Sequence, residues 1–219
     1  MKRKNLRKNL IYLSLFFVFS ELFKQILLTV HRGSYDFWYF PFQLCSMPMY
    51  LLPLYLHTRN KSLAVFMRDF FLLAGIAVFF DQTGMLYDLP ILTFHSYLWH
   101  ILMIFTSILL FFYEEDIDDL RSFLKGSAVY LILALIAECF NFLFHAKGSI
   151  DMFYISPFSP MDQIIFRDIA KVIGEIPVIF LYLFMTILGA GILHFLMASI
   201  NRKKDSESPS SGKESKHEH

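Results

Sequence analysis

Six stretches of this chain are long and apolar enough to cross a bilayer, and nothing else in the sequence limits its fold as strongly. A helical span needs about 20 mostly apolar residues to cross about 30 Å of hydrocarbon. Residues 9–30, 39–56, 63–80, 94–112, 123–144 and 175–198 have that character. Backbone amides inside a bilayer have no water to bond, so segments of this length predict helices that satisfy their own amides. The expected fold is all-α, a polytopic membrane helix bundle with about six transmembrane helices. Composition agrees, since 56% of the 219 residues are hydrophobic and 26 are phenylalanine, more than a single soluble core of this size uses.

The remaining segments are short and polar. A basic leader, residues 1–8 (MKRKNLRK), precedes the first span. Glu21 and Lys24 interrupt that span and no small-residue cleavage site follows, which predicts a retained helix instead of a signal peptide. Residues 9–200 form the transmembrane domain, with one long loop at 145–174, and the Ser-rich tail 201–219 predicts disorder. The leader, Arg59, Lys61, Arg121, Lys125 and Arg202 to Lys204 fall on one side, against Arg32, Lys147, Arg167 and Lys171 on the other. By the positive-inside rule both termini are cytosolic. The acidic run 114–119 (EEDIDD) meets no second cluster, so it reads as a solvated cap or loop. In 161–174, Met161, Ile164, Ile165, Ile169, Val172 and Ile173 recur at helical spacing. This suits either a helix lying on the outer membrane surface or an extension of the sixth span. Formal net charge is only +1 and no basic footprint stands out, so no nucleic-acid partner is expected. Cys45 and Cys139 are too few and too far apart for a disulfide framework or a zinc site. Neither a metal nor a cofactor is expected.

Polar side chains inside spans are costly, so their depth points to function. Cys45 and His100 each lie six positions inside the outer end of their span, about 9 Å down. Lys24, Glu138 and Asn141 fall in the same layer, Gln43 and His95 lie just above it, and Glu21 is a turn deeper on the face of Lys24 and Gln25. The inner half carries little beyond Arg68 and Asp69. A cysteine attacks as thiolate and needs a base or a positive neighbour to become one. His100 or His95 could be that base, with Glu21, Glu138 or Asn141 orienting the ring. Lys24 or the amides of Gln43 and Asn141 could stabilise an oxyanion. This depth is where lipid ester carbonyls sit, so the chemistry would be acyl transfer on a lipid. The same residues also suit plainer roles. Cys45 could fill space, Glu21 and Lys24 could form an interhelical ion pair, and the layer as a whole could be a non-catalytic pocket for binding or transport of a small molecule or lipid. Against transport stands the polar-poor inner half.

The runs SELFKQ (20–25), FPFQLCSMPMYLLPL (40–54), SYLWHILMIF (96–105) and NFLFHAKGSIDMFYISPFSP (141–160) resemble the YwaF-type integral membrane family, bacterial relatives of transmembrane protein 164, an acyltransferase. The resemblance extends over most of the chain. It implies Cys45 as the acyl-accepting nucleophile, His100 as the histidine serving it, and Glu21 and Asn141 as supporting residues. Gln43 stands where relatives commonly carry histidine, and Ser46 where aspartate is common. The partners implied are membrane lipids, a phospholipid donor and a lysolipid acceptor, and the location is a bacterial plasma membrane.

Overall fold

The computed structural model describes residues 3–207. Among the described residues the chain forms seven α-helices, α1 (Arg3–Arg32), α2 (Pro48–Thr58), α3 (Lys61–Ala77), α4 (Pro90–Tyr113), α5 (Leu120–Phe144), α6 (Phe166–Ile173) and α7 (Glu175–Glu207), and no strand. Four of them, α1, α4, α5 and α7, are long and apolar enough to cross a membrane. The other two expected spans come out shorter, as α2 with 11 residues and α3 with 17.

Prolines explain the shortening of the second span. Pro41 and Pro48 supply no backbone N–H, and the residue before each is biased away from helix. Residues 33–47 accordingly run without α-helix, carrying only the 3-10 turns Phe37–Tyr39 and Leu44–Ser46. Helix α2 begins with Pro48 at its first position, where a missing N–H costs nothing. Asn60 then caps α3 by accepting the Ser62 N–H at 2.8 Å, and Asp119 caps α5 by accepting the Ser122 N–H at 2.8 Å. One residue of the acidic run is thus a helix cap, as its sequence suggested.

Helix α3 is the centre of the bundle. Every residue from Leu63 to Phe71 is buried, and α2, α4, α5 and α7 all pack on it. Close approach is built into α5: a Cβ on Gly126 would lie 2.7 Å from Val65 Cγ1 and 3.1 Å from the Phe66 amide.

Side-chain bonds define two ends. At one, Arg59 donates to the Tyr113 hydroxyl, Lys61 to the Glu115 carbonyl and Asn201 to Asp118. At the other, Gln25 donates to the Tyr39 carbonyl, Phe37 stacks on Phe144, and Tyr97 donates to Gln82. The second is called here the loop end, because 145–174 lies there. In that loop α6 is a separate helix, cut from α7 by Gly174 at φ 88°. Ala170 packs against Met161 and Val178 while Val172 is 84% exposed, so α6 is amphipathic. Two boundaries differ from the sequence reading. The basic leader is helical from Arg3, continuous with α1, and α7 continues through the first part of the tail to Glu207. Residues 208–219, expected to be disordered, lie outside the described residues.

Candidate functional site

At the loop end, Cys45 sits in the 3-10 turn between Gln43 and Met47, half-buried and not disulfide-bonded; Cys139 is likewise free but exposed. The turn is fixed by α4, since the Trp99 indole N–H donates to the Cys45 carbonyl at 2.7 Å. On α1, Lys24 pairs with Glu21 at 2.8 Å, and Gln25 donates to the same Glu21 oxygen at 2.7 Å. The pair is therefore within one helix, not between helices as expected. Its charges are felt at Cys45 and at Tyr87. Tyr154 and Tyr182 also come within electrostatic reach of Cys45. These three tyrosines had no sequence signal, because neither their spacing nor their neighbours separate them from the other eight of the 11 tyrosines.

The two candidate histidines are turned differently. His100 is buried, with Nδ1 2.8 Å from the Ser96 carbonyl, so Nδ1 carries the proton and Nε2 holds the lone pair. The His95 ring lies 5.5 Å from the Trp99 ring, and its Nε2 is buried without a partner. Positions 95 and 99 are one turn apart on α4 and position 100 is rotated about 100° from 99; of these three, Trp99 bonds the Cys45 turn. Among the described residues no hydrogen bond joins Cys45 to either ring.

The two amides proposed as oxyanion donors are engaged elsewhere. Gln43 donates to the Asp151 carbonyl at 2.6 Å and accepts the Phe153 N–H at 2.7 Å. Asn141 accepts the Met152 N–H at 2.7 Å and donates to the Met152 carbonyl at 3.2 Å and to Glu138 at 3.1 Å. Together they clamp residues 151–153 into the bundle, where Ile150, Asp151, Met152, Phe153 and Ile155 are buried. Phe153 and Tyr154 are held at φ 60° and 58°, a conformation that side-chain-bearing residues resist.

Asp151, inside this clamped loop, accepts the Ser156 N–H at 2.8 Å, and burial pushes its carboxyl up to about 7. A carboxyl raised above its unfolded value binds more protons folded than unfolded. Stability is then highest at low pH, declines as pH rises through the window between the two values, and stays low above the folded one. Residues 148–160 should therefore exchange amide protons faster, relative to the intrinsic rate, at pH 8 than at pH 5. Asp151→Asn, which keeps the acceptor for Ser156, should flatten that difference, and hydrogen exchange with mass detection measures both.

The opposite half is far from polar-free, which corrects the expectation drawn from sequence. Arg68 and Asp69 lie midway along α3, 1% and 0% exposed, and reach toward the α4–α5 connection. Arg68 donates to Asp69 at 2.8 Å, to Asp118 at 2.5 Å and toward the Ile117 carbonyl at 3.5 Å. His194 of α7 completes the cluster with Nδ1 2.7 Å from Asp69 Oδ2 and 2.8 Å from an Arg68 nitrogen. His194 escaped the sequence reading because it is a lone ring in an apolar helix.

An all-helical chain with four membrane-length helices, polar clusters toward both ends and a clamped re-entering loop is an integral membrane protein. The sequence profile of the TMEM164 family matches residues 1–199. The chain belongs to the TMEM164 family, and the YwaF-type resemblance is a finer label consistent with it. No curated protein and no solved structure matches it.

Proposed function

We propose that this protein transfers acyl groups between membrane lipids through a thioester on Cys45. The observation that carries the reading is the placement of Cys45 on the 3-10 turn before α2, pinned to α4 by Trp99 and within electrostatic range of Lys24 and Glu21. In this reading a lipid ester reaches Cys45, a partly exposed residue, from the loop end.

In the first step the thiol sulfur attacks the ester carbonyl of a phospholipid while His100 Nε2 takes the thiol proton. The tetrahedral intermediate expels the lysolipid alkoxide, which receives that proton, and acyl-Cys45 remains. A second lysolipid hydroxyl then attacks the thioester, and its proton returns through the imidazole to the departing thiolate. Lys24 is the cation for the oxyanion, since the amides of Gln43 and Asn141 are spent on the loop, and an ammonium has donors beyond the one given to Glu21. His95 shares the face of Trp99 and is the alternative base. In this reading Glu21 anchors Lys24, and Glu138 supports the loop through Asn141. Both termini are cytosolic and the site opens to the outer leaflet of a bacterial plasma membrane, as the Lys and Arg distribution and the YwaF-type resemblance support.

Intact-protein mass spectrometry after incubation with phospholipid tests the proposal. The expected result is an acyl adduct that hydroxylamine removes and that Cys45→Ala cannot form. A second reading, a non-covalent polar pocket that binds or moves a ligand, is favoured by the missing hydrogen bond between Cys45 and either ring. A folded protein with no adduct from several phospholipids would establish that second reading over the first.

A further inference from the structure

Helix α7 is apolar and of membrane length, and much of its surface is left uncovered by the other helices. Along it and α5 runs a groove of about 510 Å³, walled by Phe184, Leu188, Gly191, Phe195 and Ser199 of α7 and by Phe123 of α5. The α7 positions recur every three or four residues, so they form one stripe along the helix. Gly191 is the narrow point of contact. The Phe123 ring rests on its bare backbone, where a Cβ would come within 3.1 Å of Cζ, and stands 6.0 Å from the Phe195 ring.

From Phe184 to Ser199 the stripe covers about 22 Å, against about 15 Å for the hydrocarbon of one leaflet. It is therefore long enough for a whole acyl chain, and its wall is hydrocarbon apart from Ser199 at one end. That end is the one remote from Cys45, where Asn201 donates to Asp118.

Charge at the same end selects among lipids. Arg202 lies seven residues beyond Phe195 and fourteen beyond Leu188, and a helix drifts only about 20° per seven residues, so Arg202 continues the stripe. It stands one turn past Ser199, about 4.5 Å along the axis. Arg202 is exposed and has no hydrogen-bond or ion-pair partner among the described residues. The two acids just before α5 are engaged: Asp118 accepts from Arg68 and Asn201, and Asp119 accepts the Ser122 N–H. An unneutralised guanidinium at the mouth of an apolar groove is complementary to a lipid phosphate, which its forked donors fit.

We propose that this groove holds one anionic glycerophospholipid, with an acyl chain along the α7 stripe and the phosphate at Arg202. The site is separate from the Cys45 turn at the loop end and does not depend on a thioester there.

The test uses the full chain, purified in detergent micelles and offered phosphatidylglycerol or phosphatidylcholine with the same acyl chains, with native mass spectrometry counting the lipid retained. Wild type should retain one phosphatidylglycerol, about fivefold more readily than phosphatidylcholine, the worth of one basic residue against an anionic headgroup. Arg202→Gln should abolish that preference. Lys125→Gln should keep it, because Lys125 is at the same end but two residues from Phe123, about 200° round α5 and turned away from the groove. Leu188→Trp, an exposed position whose larger ring fills the groove, should retain neither lipid. Equal retention of the two lipids by wild type, equal losses in Arg202→Gln and Lys125→Gln, or full retention in Leu188→Trp would overturn the site. So would a lipid-free dimer that Leu188→Trp separates, since a second copy would then occupy the groove.

Discussion

Asp69→Ala should cost the protein its fold, or come close to doing so. The substitution leaves the Arg68 guanidinium 1% exposed between the helices, with Asp118 as its remaining acid and His194 without its acid. Removing one partner of a buried ion pair costs about 3–5 kcal/mol, most of it from the charge left behind. Folded domains are stable by about 5–15 kcal/mol in total, so a loss of that size shows as poor recovery from the membrane and a large fall in Tm. The cause is separable from lost packing. Replacing the set together, Arg68→Met with Asp69→Leu and His194→Phe, removes charge and counter-charge at similar volume, and such exchanges are often neutral or stabilising. Recovery in the triple variant with loss in the single one would identify uncompensated charge as the damage. Asp69→Ala melting within about 1 kcal/mol of wild type would mean that the cluster is solvated and that the buried network is not what holds α3 to α7.

That cluster also shows where sequence reading stops. The apolar segments were legible because hydropathy over 20 residues is a property of the chain alone. The break before α2 follows from Pro41 and Pro48, but the full loss of α-helix over 39–47 could not be foreseen, because it depends on Trp99 and Gln25 holding the irregular backbone from other helices. Arg68 and Asp69 stand out in the sequence as the polar residues of the inner half. Their burial depends on His194, 126 residues from Arg68, and no local pattern announces that partner. Depth was likewise legible and rotation was not. Counting positions put Cys45 and His100 at one level, while the α4 side chain that bonds the Cys45 turn is Trp99. Gln43 and Asn141 illustrate the ambiguity of an amide. The groups that would stabilise an oxyanion are the same ones that satisfy a buried backbone, and only the coordinates of Met152 and Phe153 decide between them.

The role of Asn141 can be decided by one substitution, the second with a large expected effect. Asn141→Leu keeps the side-chain shape and removes every polar atom. The Met152 N–H and carbonyl, bonded at 2.7 and 3.2 Å, would then be buried without partners. Each unsatisfied group costs about 1–3 kcal/mol, so the docked loop loses about 2–6 kcal/mol. The loss should be local, because helices α1 to α5 do not depend on this contact while the loop carries strain of its own. Phe153 and Tyr154, at φ 60° and 58°, store about 1–3 kcal/mol each and stay there only while the clamp holds. Hydrogen exchange should therefore show residues 150–156 losing protection by a factor of about 30 or more, as about 2 kcal/mol requires, with the helices unchanged. Gln43→Met should do the same to Phe153 and, being two residues from Cys45, should also loosen the thiol's turn. An oxyanion donor behaves differently. If Asn141 faced substrate, its loss would stop acyl transfer while the Met152 amide stayed protected, so protection and adduct yield measured on one sample separate a residue that builds the site from one that works in it.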